Sequence, residues 1–319
     1  MRRRRAAALV ITPLLAALAL AGCGSASSSS KSASTPADTY TSVTATGTFG
    51  KAPTVKIPAE TGTGALYTKT VIKGTGTTLT SAQSLLGDFV MYDWSGKTHK
   101  LIGSTYTQGT PTLFAGTLLP GLQKALVGQK VGSRVLAVIP PADAFGSTGN
   151  SEIGVGAKDT VIFVVDMLKT ISNSAGATGK QTYSGGGTLP TVTAGAAGKS
   201  PTITIPKTAA PKTLQVKTLI KGTGPKVAKS QFLVVQYTGM IWRTKKVFQS
   251  SWSSAPFGTL IGAGQVLPGW DTGLVGQTVG SRVLLVIPPA DGYGKTGQSS
   301  AGIKGTDTLV FVVDIVSAS

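Results

Sequence analysis

The stretch VLPGWDTGLVGQTVGSRVLLVIPPADGYG, residues 266–294, predicts a short helix followed by one strand. Pro268 suits the first turn of a helix and Gly276 suits its end, so these residues bracket about two helical turns. The run VGSRVLLVI that follows is rich in β-branched residues, which favour a strand. Pro288 and Pro289 then end the strand, because proline donates no hydrogen bond to a neighbouring strand.

The segments on both sides of this stretch also favour strands. LQVKTLI and FLVVQY precede it at residues 214–220 and 232–237, another strand starts at residue 247, and TLVFVVDI follows at residues 308–315. The order is therefore three strands, one short helix and two strands. A single helix against a mostly antiparallel sheet predicts a two-layer α+β domain.

This pattern occurs twice in the chain. GKAPTVKIP at residues 50–58 returns as GKSPTITIP at 198–206, and VGSRVLAVIPPAD at 131–143 returns as VGSRVLLVIPPAD at 279–291. VIKGTG likewise returns as LIKGTG, and KDTVIFVVD returns as TDTLVFVVD. All four pairs share an offset of 148 residues (198 − 50). A chain of 319 residues with one such repeat predicts two tandem domains.

The composition along the chain suggests where these domains begin and end. We assign residues 49–171 to the first domain and residues 200–319 to the second. Residues 172–199 include SNSAGATGK and SGGGTLP, and we expect a Gly/Ser/Thr-rich linker there. Residues 23–48 are rich in Ser, Thr and Ala and poor in large apolar side chains, so we expect a flexible tether.

Residues 1–22 have the pattern of a secretory signal peptide. Four arginines precede an apolar stretch that is too short and interrupted for a permanent span of ~20 residues. LAGC at residues 20–23 resembles the bacterial lipobox, which implies cleavage before Cys23 and lipidation of that residue. We therefore expect a protein that is lipid-anchored on the extracytoplasmic side of the cell membrane. The alternative is an ordinary cleaved signal in which Cys23 is incidental.

The composition also narrows the chemistry. One histidine, His99, and one cysteine cannot form a disulfide, a zinc site or a Cys–His pair, and we expect no nucleotide or metal cofactor. The formal charge is +18, and removing Arg2 to Arg5 leaves 26 basic against 12 acidic residues, or +14. Because the lysines are scattered singly, a basic surface beside anionic envelope polymers or lipid headgroups is favoured over nucleic-acid binding.

The second copy resembles the FKBP-type peptidyl-prolyl isomerases. Four segments within residues 213–316 occur in that family's order and spacing: VVQYTGMIW, VFQSS, APFGTLIGAGQVLPGWDTGLVGQTVGSRVLLVIPPADGYG and TDTLVFVVD. Residues 65–168 resemble the same pattern. The resemblance implies, in each domain, a twisted antiparallel sheet wrapped around one short helix, with a shallow apolar pocket between them. The family's pocket positions are occupied by Tyr237, Phe248, Phe257, Val266, Leu267, Trp270, Tyr293 and Phe311, with Ile303 expected on one wall.

Two departures from the family pattern affect the expected activity. Gln249 stands where the family commonly has Asp directly after the pocket phenylalanine, although an amide can still form hydrogen bonds. In the first copy, Leu122 replaces the tryptophan of the pocket floor and Phe145 replaces the tyrosine hydroxyl donor. The other counterparts in the first copy are expected to be Tyr92, Leu101 or Ile102, Leu118, Leu119 and Phe163. We therefore expect the first domain to be weak or inactive as a catalyst.

The resemblance implies a prolyl isomerase that acts on proline-containing polypeptides and assists the folding of exported or cell-envelope proteins. Catalysis is expected mainly in the C-terminal domain, in an apolar pocket and without a covalent intermediate. The alternative is a non-catalytic peptide-binding or chaperone lipoprotein with an eroded pocket, which Gln249 favours. A structural spacer would use the long linkers but leaves the pocket residues unexplained.

Overall fold

The computed structural model describes residues 38–195 and 198–319, which belong to one compact unit. The predicted signal peptide, Cys23 and residues 23–37 of the predicted tether lie outside the described residues. In the described part of the chain, no helix combines the length and the apolar character that crossing a membrane requires.

The first repeat builds one sheet and one small hairpin. Its elements are β1 (Thr44–Thr46), β2 (Thr54–Lys56), β3 (Tyr67–Ile72), β4 (Gln83–Ser95), β5 (Thr98–Ser104), α1 (Thr105–Gln108), β6 (Thr112–Phe114), α2 (Pro120–Leu126), β7 (Arg134–Ile139) and β8 (Thr160–Ser172). The six-stranded sheet has the order β3-β7-β8-β4-β5, with β6 also paired to β4, and every pair is antiparallel.

The second repeat follows the same plan. Its elements are β9 (Lys180–Gln181), β10 (Thr191–Thr193), β11 (Thr202–Thr204), β12 (Gln215–Lys221), β13 (Phe232–Ile241), β14 (Lys246–Ser250), β15 (Phe257–Leu260), α3 (Pro268–Leu274), β16 (Arg282–Ile287) and β17 (Leu309–Ala318). The seven-stranded antiparallel sheet has the order β14-β13-β17-β16-β12-β9, with β15 also paired to β13. Five 3-10 turns complete the described residues, at Tyr40–Ser42, Pro141–Asp143, Gly146–Thr148, Pro289–Asp291 and Ser299–Ala301.

The central strands bury both faces, because successive side chains of a strand point to opposite sides. In β16, Leu285 packs beneath helix α3 with Trp270 and Leu274, whereas Leu284 belongs to a separate core on the other face. The long apolar run in residues 279–287 therefore serves two cores rather than one.

Two hairpins cover the faces that lie opposite the helices. The β1–β2 hairpin is paired in register, and Val43 and Ala45 are buried in the core on the far side of the first sheet. The β10–β11 hairpin places Val192 and Ile205 in the equivalent core of the second sheet.

These hairpins and strand β9 use residues for which a tether and a linker are predicted. Residues 44–46 lie in the segment predicted as a tether, and residues 180–181 and 191–193 lie in the segment predicted as a linker. A low apolar content is compatible with strands here, because β1 and β10 each bury one side chain, β9 buries none, and all three gain backbone hydrogen bonds from a neighbouring strand.

The first domain has a second helix that the sequence did not reveal. Helix α1 follows β5 directly and ends at Gly109, which adopts a left-handed conformation (φ 69°) and donates its N–H to the carbonyl of Thr105. The expectation of a single short helix per domain is therefore wrong for the first domain. A four-residue helix leaves too short a pattern to recognise, since periodicity needs several turns.

Each sheet contains a buried ion pair on the side of its hairpin. Arg282 lies opposite Asp314 on neighbouring strands and donates to both carboxylate oxygens, at 2.6 and 2.8 Å. In the first domain, Arg134 and Asp166 form the same pair, and Gly50 in the hairpin also donates to that carboxylate. In the first domain, the pair therefore connects a central strand to the β1–β2 hairpin.

Candidate active site

Helix α3 delivers Trp270 to the centre of the second domain. Pro268 occupies the first turn, and the Trp270 N–H donates to the carbonyl of Leu267 at 2.8 Å. Gly269 allows the helix to approach the sheet, because a Cβ atom at this position would lie 2.8 Å from Ile287 Cγ2. The indole is consequently held between helix and sheet and is only 4% exposed.

Aromatic rings surround this indole edge to face. The centroids of Tyr237 and Phe311 each lie 5.3 Å from that of Trp270, with interplanar angles of 83° and 90°. Phe257 lies 6.3 Å from Trp270, and Phe248 lies 5.6 Å from Phe311. Perpendicular pairs bring the positive ring edge onto a negative ring face, which favours this arrangement and fixes the ring orientations.

Gly239 makes room for this arrangement. A Cβ atom at Gly239 would lie 2.7 Å from Cε1 of Phe311 and 2.8 Å from Cζ of Phe248, both closer than real Cβ contacts. Any larger residue would displace one of the two rings. The glycine in the motif YTGMIW is therefore part of the site, although a single glycine in a strand gives no signal of such a contact in the sequence.

The polar groups of the site are donors rather than carboxylates. Within the described residues, the buried indole Nε1 of Trp270 has no hydrogen-bond partner. Burial raises the pKa of Tyr293, and burial together with the nearby Tyr293 raises the pKa of Tyr237 to about 12. Both phenols are therefore protonated at neutral pH and available to donate to carbonyl oxygens.

The remaining predicted residues occupy different environments. Val266, Leu267 and Tyr293 are partly buried against the same core, and Ile303 lies inside it, only 3% exposed. Phe257 is the most exposed of the aromatic group, at 39%. Gln249 is exposed on β14, directly opposite Gly239, so its amide lies at the edge of the aromatic group and not within it.

In the first domain, the residue equivalent to Tyr237 differs from the predicted one. Tyr237 pairs with Val313 across the sheet, and the equivalent partner of Val165 in the first domain is Phe89. The prediction that Tyr92 is the counterpart of Tyr237 is therefore wrong. The constant offset of 148 residues already indicates Phe89, since 237 − 148 is 89.

A shared hydrogen bond supports this correction. The Phe89 N–H donates to Thr105 Oγ1 at 2.9 Å, just as the Tyr237 N–H donates to Ser251 Oγ at 2.8 Å. Tyr92 instead packs against the core beneath the β1–β2 hairpin. A shift of three residues moves a side chain to the opposite face of a strand, because the strand period is two.

Met91 occupies the place of Gly239 in the first domain. It lies opposite Phe163, as Gly239 lies opposite Phe311, and it is buried in one cluster with Phe163 and Leu122. The first domain thus has a methionine side chain at the position where the glycine of the second domain makes room for two aromatic rings.

The other first-domain counterparts lie near this core. Ile102 lies at the same bulge as Phe248 of the second domain, and Leu101 is 45% exposed. The residues Leu118, Leu119 and Phe145 are partly buried against the first-domain core.

Comparison with known proteins agrees with this duplicated architecture. A family model described as FKBP-type peptidyl-prolyl cis-trans isomerase matches residues 81–168 and again residues 224–316. The chain belongs to this family of enzymes and carries two copies of its domain in tandem. FKBP prolyl isomerases act on proline-containing peptides.

Individual relatives cover one or both copies. The "FK506-binding protein" of Streptomyces anulatus is 36% identical over 120 residues, covering 37% of this chain and 97% of that protein. "Peptidyl-prolyl cis-trans isomerase FKBP9" of Mus musculus is 31% identical over 236 residues, covering 72% of this chain but only 35% of that protein. Among solved structures, FkpA from Escherichia coli has 34% identity and a TM-score of 0.31, covering 33% of this chain and 48% of that one.

Proposed function

We propose that the second domain catalyses prolyl cis–trans isomerisation and that the first domain is not a catalyst. The observation that carries the proposal is the group of aromatic residues around the buried indole of Trp270, in which Gly239 makes room for the rings of Phe248 and Phe311. The first domain has Leu122 and Met91 at these two positions, and both are buried in its core.

The proposed mechanism needs no covalent intermediate. Resonance holds an X-Pro amide planar, and the barrier to rotation is about 18–20 kcal/mol. A planar amide is more polar than a twisted one, so transfer from water to an apolar site disfavours the planar form more strongly. The proline ring would pack against the aromatic group formed by Trp270, Phe248 and Phe311. The Tyr293 hydroxyl would donate to a substrate carbonyl and fix its orientation.

The roles of the remaining residues follow from their positions. Tyr237 and Phe257 form one rim of the site, with centroids 5.9 Å apart. Val266 and Leu267 precede the helix and would contact the substrate backbone, with the Leu267 N–H as a donor. Gln249, exposed beside Gly239, would supply an amide where the family commonly has a carboxylate.

A substitution at Trp270 tests this proposal in the full-length chain. Trp270→Leu should lower kcat/KM on a proline peptide at least about tenfold, because the substrate loses its aromatic floor. Trp242→Leu is the matched control, since Trp242 is also buried but belongs to the core on the opposite face of the sheet. Equal activity of Trp270→Leu and the parent protein, measured by NMR exchange, would contradict the assignment.

A non-catalytic peptide-binding chaperone is the second candidate function. The exposed amide of Gln249 in place of a carboxylate is the observation that favours it. The same assay separates the two candidates, because a chaperone would suppress aggregation of unfolded clients while leaving the rate of peptide isomerisation unchanged.

We further propose that the protein is a lipoprotein of the cell envelope that assists the folding of exported proteins. The support is the leader with LAGC at residues 20–23, in which Cys23 is the only cysteine of the chain. Mass spectrometry of the protein purified from membranes should find a cleaved chain with an acylated Cys23. Cys23→Ser should release the protein from the membrane fraction, and retention of an unmodified chain there would contradict the proposal.

A further inference from the structure

The two domains share a buried contact. Leu86 and Ile171 of the first domain and Val234 of the second form one buried cluster, against which further apolar side chains pack. Lys169 Nζ also donates to Ser317 Oγ across the domains at 3.0 Å. Two parts of this contact involve residues that neighbour the candidate active site in the chain.

The first part is apolar and reaches the strand of Phe257. Leu113 on β6 of the first domain packs against Gly258 on β15, where a Cβ atom would lie 3.1 Å from Leu113 Cβ. The added atom would also lie 2.7 Å from Phe232 Cζ, so Leu113 and Phe232 together cover β15 at this position. Phe257 directly precedes Gly258.

The second part is polar and reaches Tyr237. Ser84 of the first domain donates to Asn173 Oδ1 at 2.6 Å, and the side chain of Gln236 donates to the Asn173 carbonyl at 2.8 Å. The other end of the Gln236 amide accepts a hydrogen bond from Ser251 at 2.5 Å. Ser251 in turn accepts the bond from the Tyr237 N–H at 2.8 Å.

The first domain shows why this connection requires an amide. Asp88 pairs with Asp166 as Gln236 pairs with Asp314, so the two residues are equivalent. A carboxylate only accepts hydrogen bonds, whereas an amide accepts at its oxygen and donates at its nitrogen. Gln236, which is fully buried, can therefore bind Ser251 and Asn173 at the same time.

We propose that the first domain is a positioning element for the substrate site of the second domain. Leu113 packs against β15 beside Phe257, and the Ser84–Asn173–Gln236 connection reaches the backbone of Tyr237 through Ser251. Both contacts would fix the rim on which the residue before proline would rest. This inference depends on the proposed catalysis in the second domain. Because the rim binds substrate equally before and during rotation, a looser rim should raise KM more than it lowers kcat.

Single substitutions in the first domain of the full-length chain test this role. Leu113→Ala and Ser84→Ala each remove one contact without touching the second-domain site, and each should raise KM for a Phe-Pro peptide roughly fivefold with kcat nearly unchanged. Leu113→Met should restore KM, because it keeps the side-chain volume. Val127→Ala is the matched control, since Val127 is 40% exposed in the same domain.

The outcomes separate this inference from the proposed function. An inactive parent protein, or full activity of Trp270→Leu, would show that catalysis is not in the second domain. An active parent with an unchanged KM in both Leu113→Ala and Ser84→Ala would overturn only the positioning role. If Leu113→Ala does not fold, as judged by near-UV circular dichroism, Ser84→Ala decides the question alone.

Discussion

The indole of Trp270 and the ring of Phe311 are perpendicular, with their centroids 5.3 Å apart. One residue comes from the first turn of α3 and the other from the central strand β17, so the helix and the sheet meet at this pair. The two domains differ at this pair, because the first domain has the equivalent phenylalanine, Phe163, but has Leu122 in place of the tryptophan.

A larger side chain at Gly239 should displace the aromatic rings and lower activity. Gly239→Met copies the first-domain residue Met91 and would displace the ring of Phe248 or Phe311, so kcat/KM in the full-length chain should fall at least about tenfold. Gly103→Met is a suitable control, because a Cβ atom at Gly103 meets no atom closer than 3.7 Å. Unchanged turnover of Gly239→Met in a proline-peptide assay would show that catalysis does not depend on the positions of the Phe248 and Phe311 rings.

The Tyr293 hydroxyl should contribute by donating one hydrogen bond. Tyr293→Phe keeps the ring and should lower kcat/KM roughly five- to tenfold, the usual value of one such bond. Tyr67→Phe serves as a control, because Tyr67 packs on the far side of the first-domain sheet. A mutant as fast as the parent would assign substrate orientation to another group.

Activity should be independent of pH between pH 6 and pH 9. The pKa of Tyr293 lies above its ordinary value of 10.0 and that of Tyr237 is about 12, because burial disfavours both phenolates. Both groups stay neutral below pH 10, and their favourable contribution to folding is lost only as the pH rises through the raised pKa values. A rate profile measured by NMR exchange should be flat from pH 6 to pH 9, and a step in that range would implicate another titrating group.

Asp93 should destabilise the first domain at neutral pH. Burial, together with the nearby Asp159, raises its pKa to about 6 from 3.8. A raised carboxyl pKa means that the folded state favours the protonated form of Asp93. The resulting contribution to stability is complete below pH 3.8 and is lost as the pH rises through about 6. Asp93→Asn should therefore raise the Tm at pH 7.5 and leave it nearly unchanged at pH 4. An equal gain at both pH values would point to a cause other than ionisation.

The buried ion pairs should matter far more for stability than the exposed one. Asp166→Asn leaves Arg134 buried without its charge partner and should cost about 3–5 kcal/mol of unfolding free energy. Lys124→Met, which breaks the solvent-exposed pair with Asp143, should cost less than about 1 kcal/mol. Urea denaturation of both variants measures the difference, and equal midpoints would contradict it.

Much of one domain could be predicted from local pattern. Pro268 as the first residue of α3 is confirmed, and β16 ends at Ile287, directly before Pro288, because backbone geometry allows few alternatives at proline. The duplication can be predicted because equally spaced motifs are recognised without knowing which residues contact each other. The equivalence of Tyr92 and Tyr237 failed because it was drawn from motif similarity, whereas strand register decides which face a side chain occupies.

The family, the two tandem copies and the residues that differ between them can be inferred from the amino-acid sequence, since they depend on residue identity and order along the chain. The folded arrangement was needed to show that Met91 occupies the place of Gly239, that hairpins cover both sheets and that Asn173 connects Ser84 to Gln236. Those relationships join residues far apart in the chain through packing and hydrogen bonds, which depend on positions in space and leave no periodic signal in the sequence.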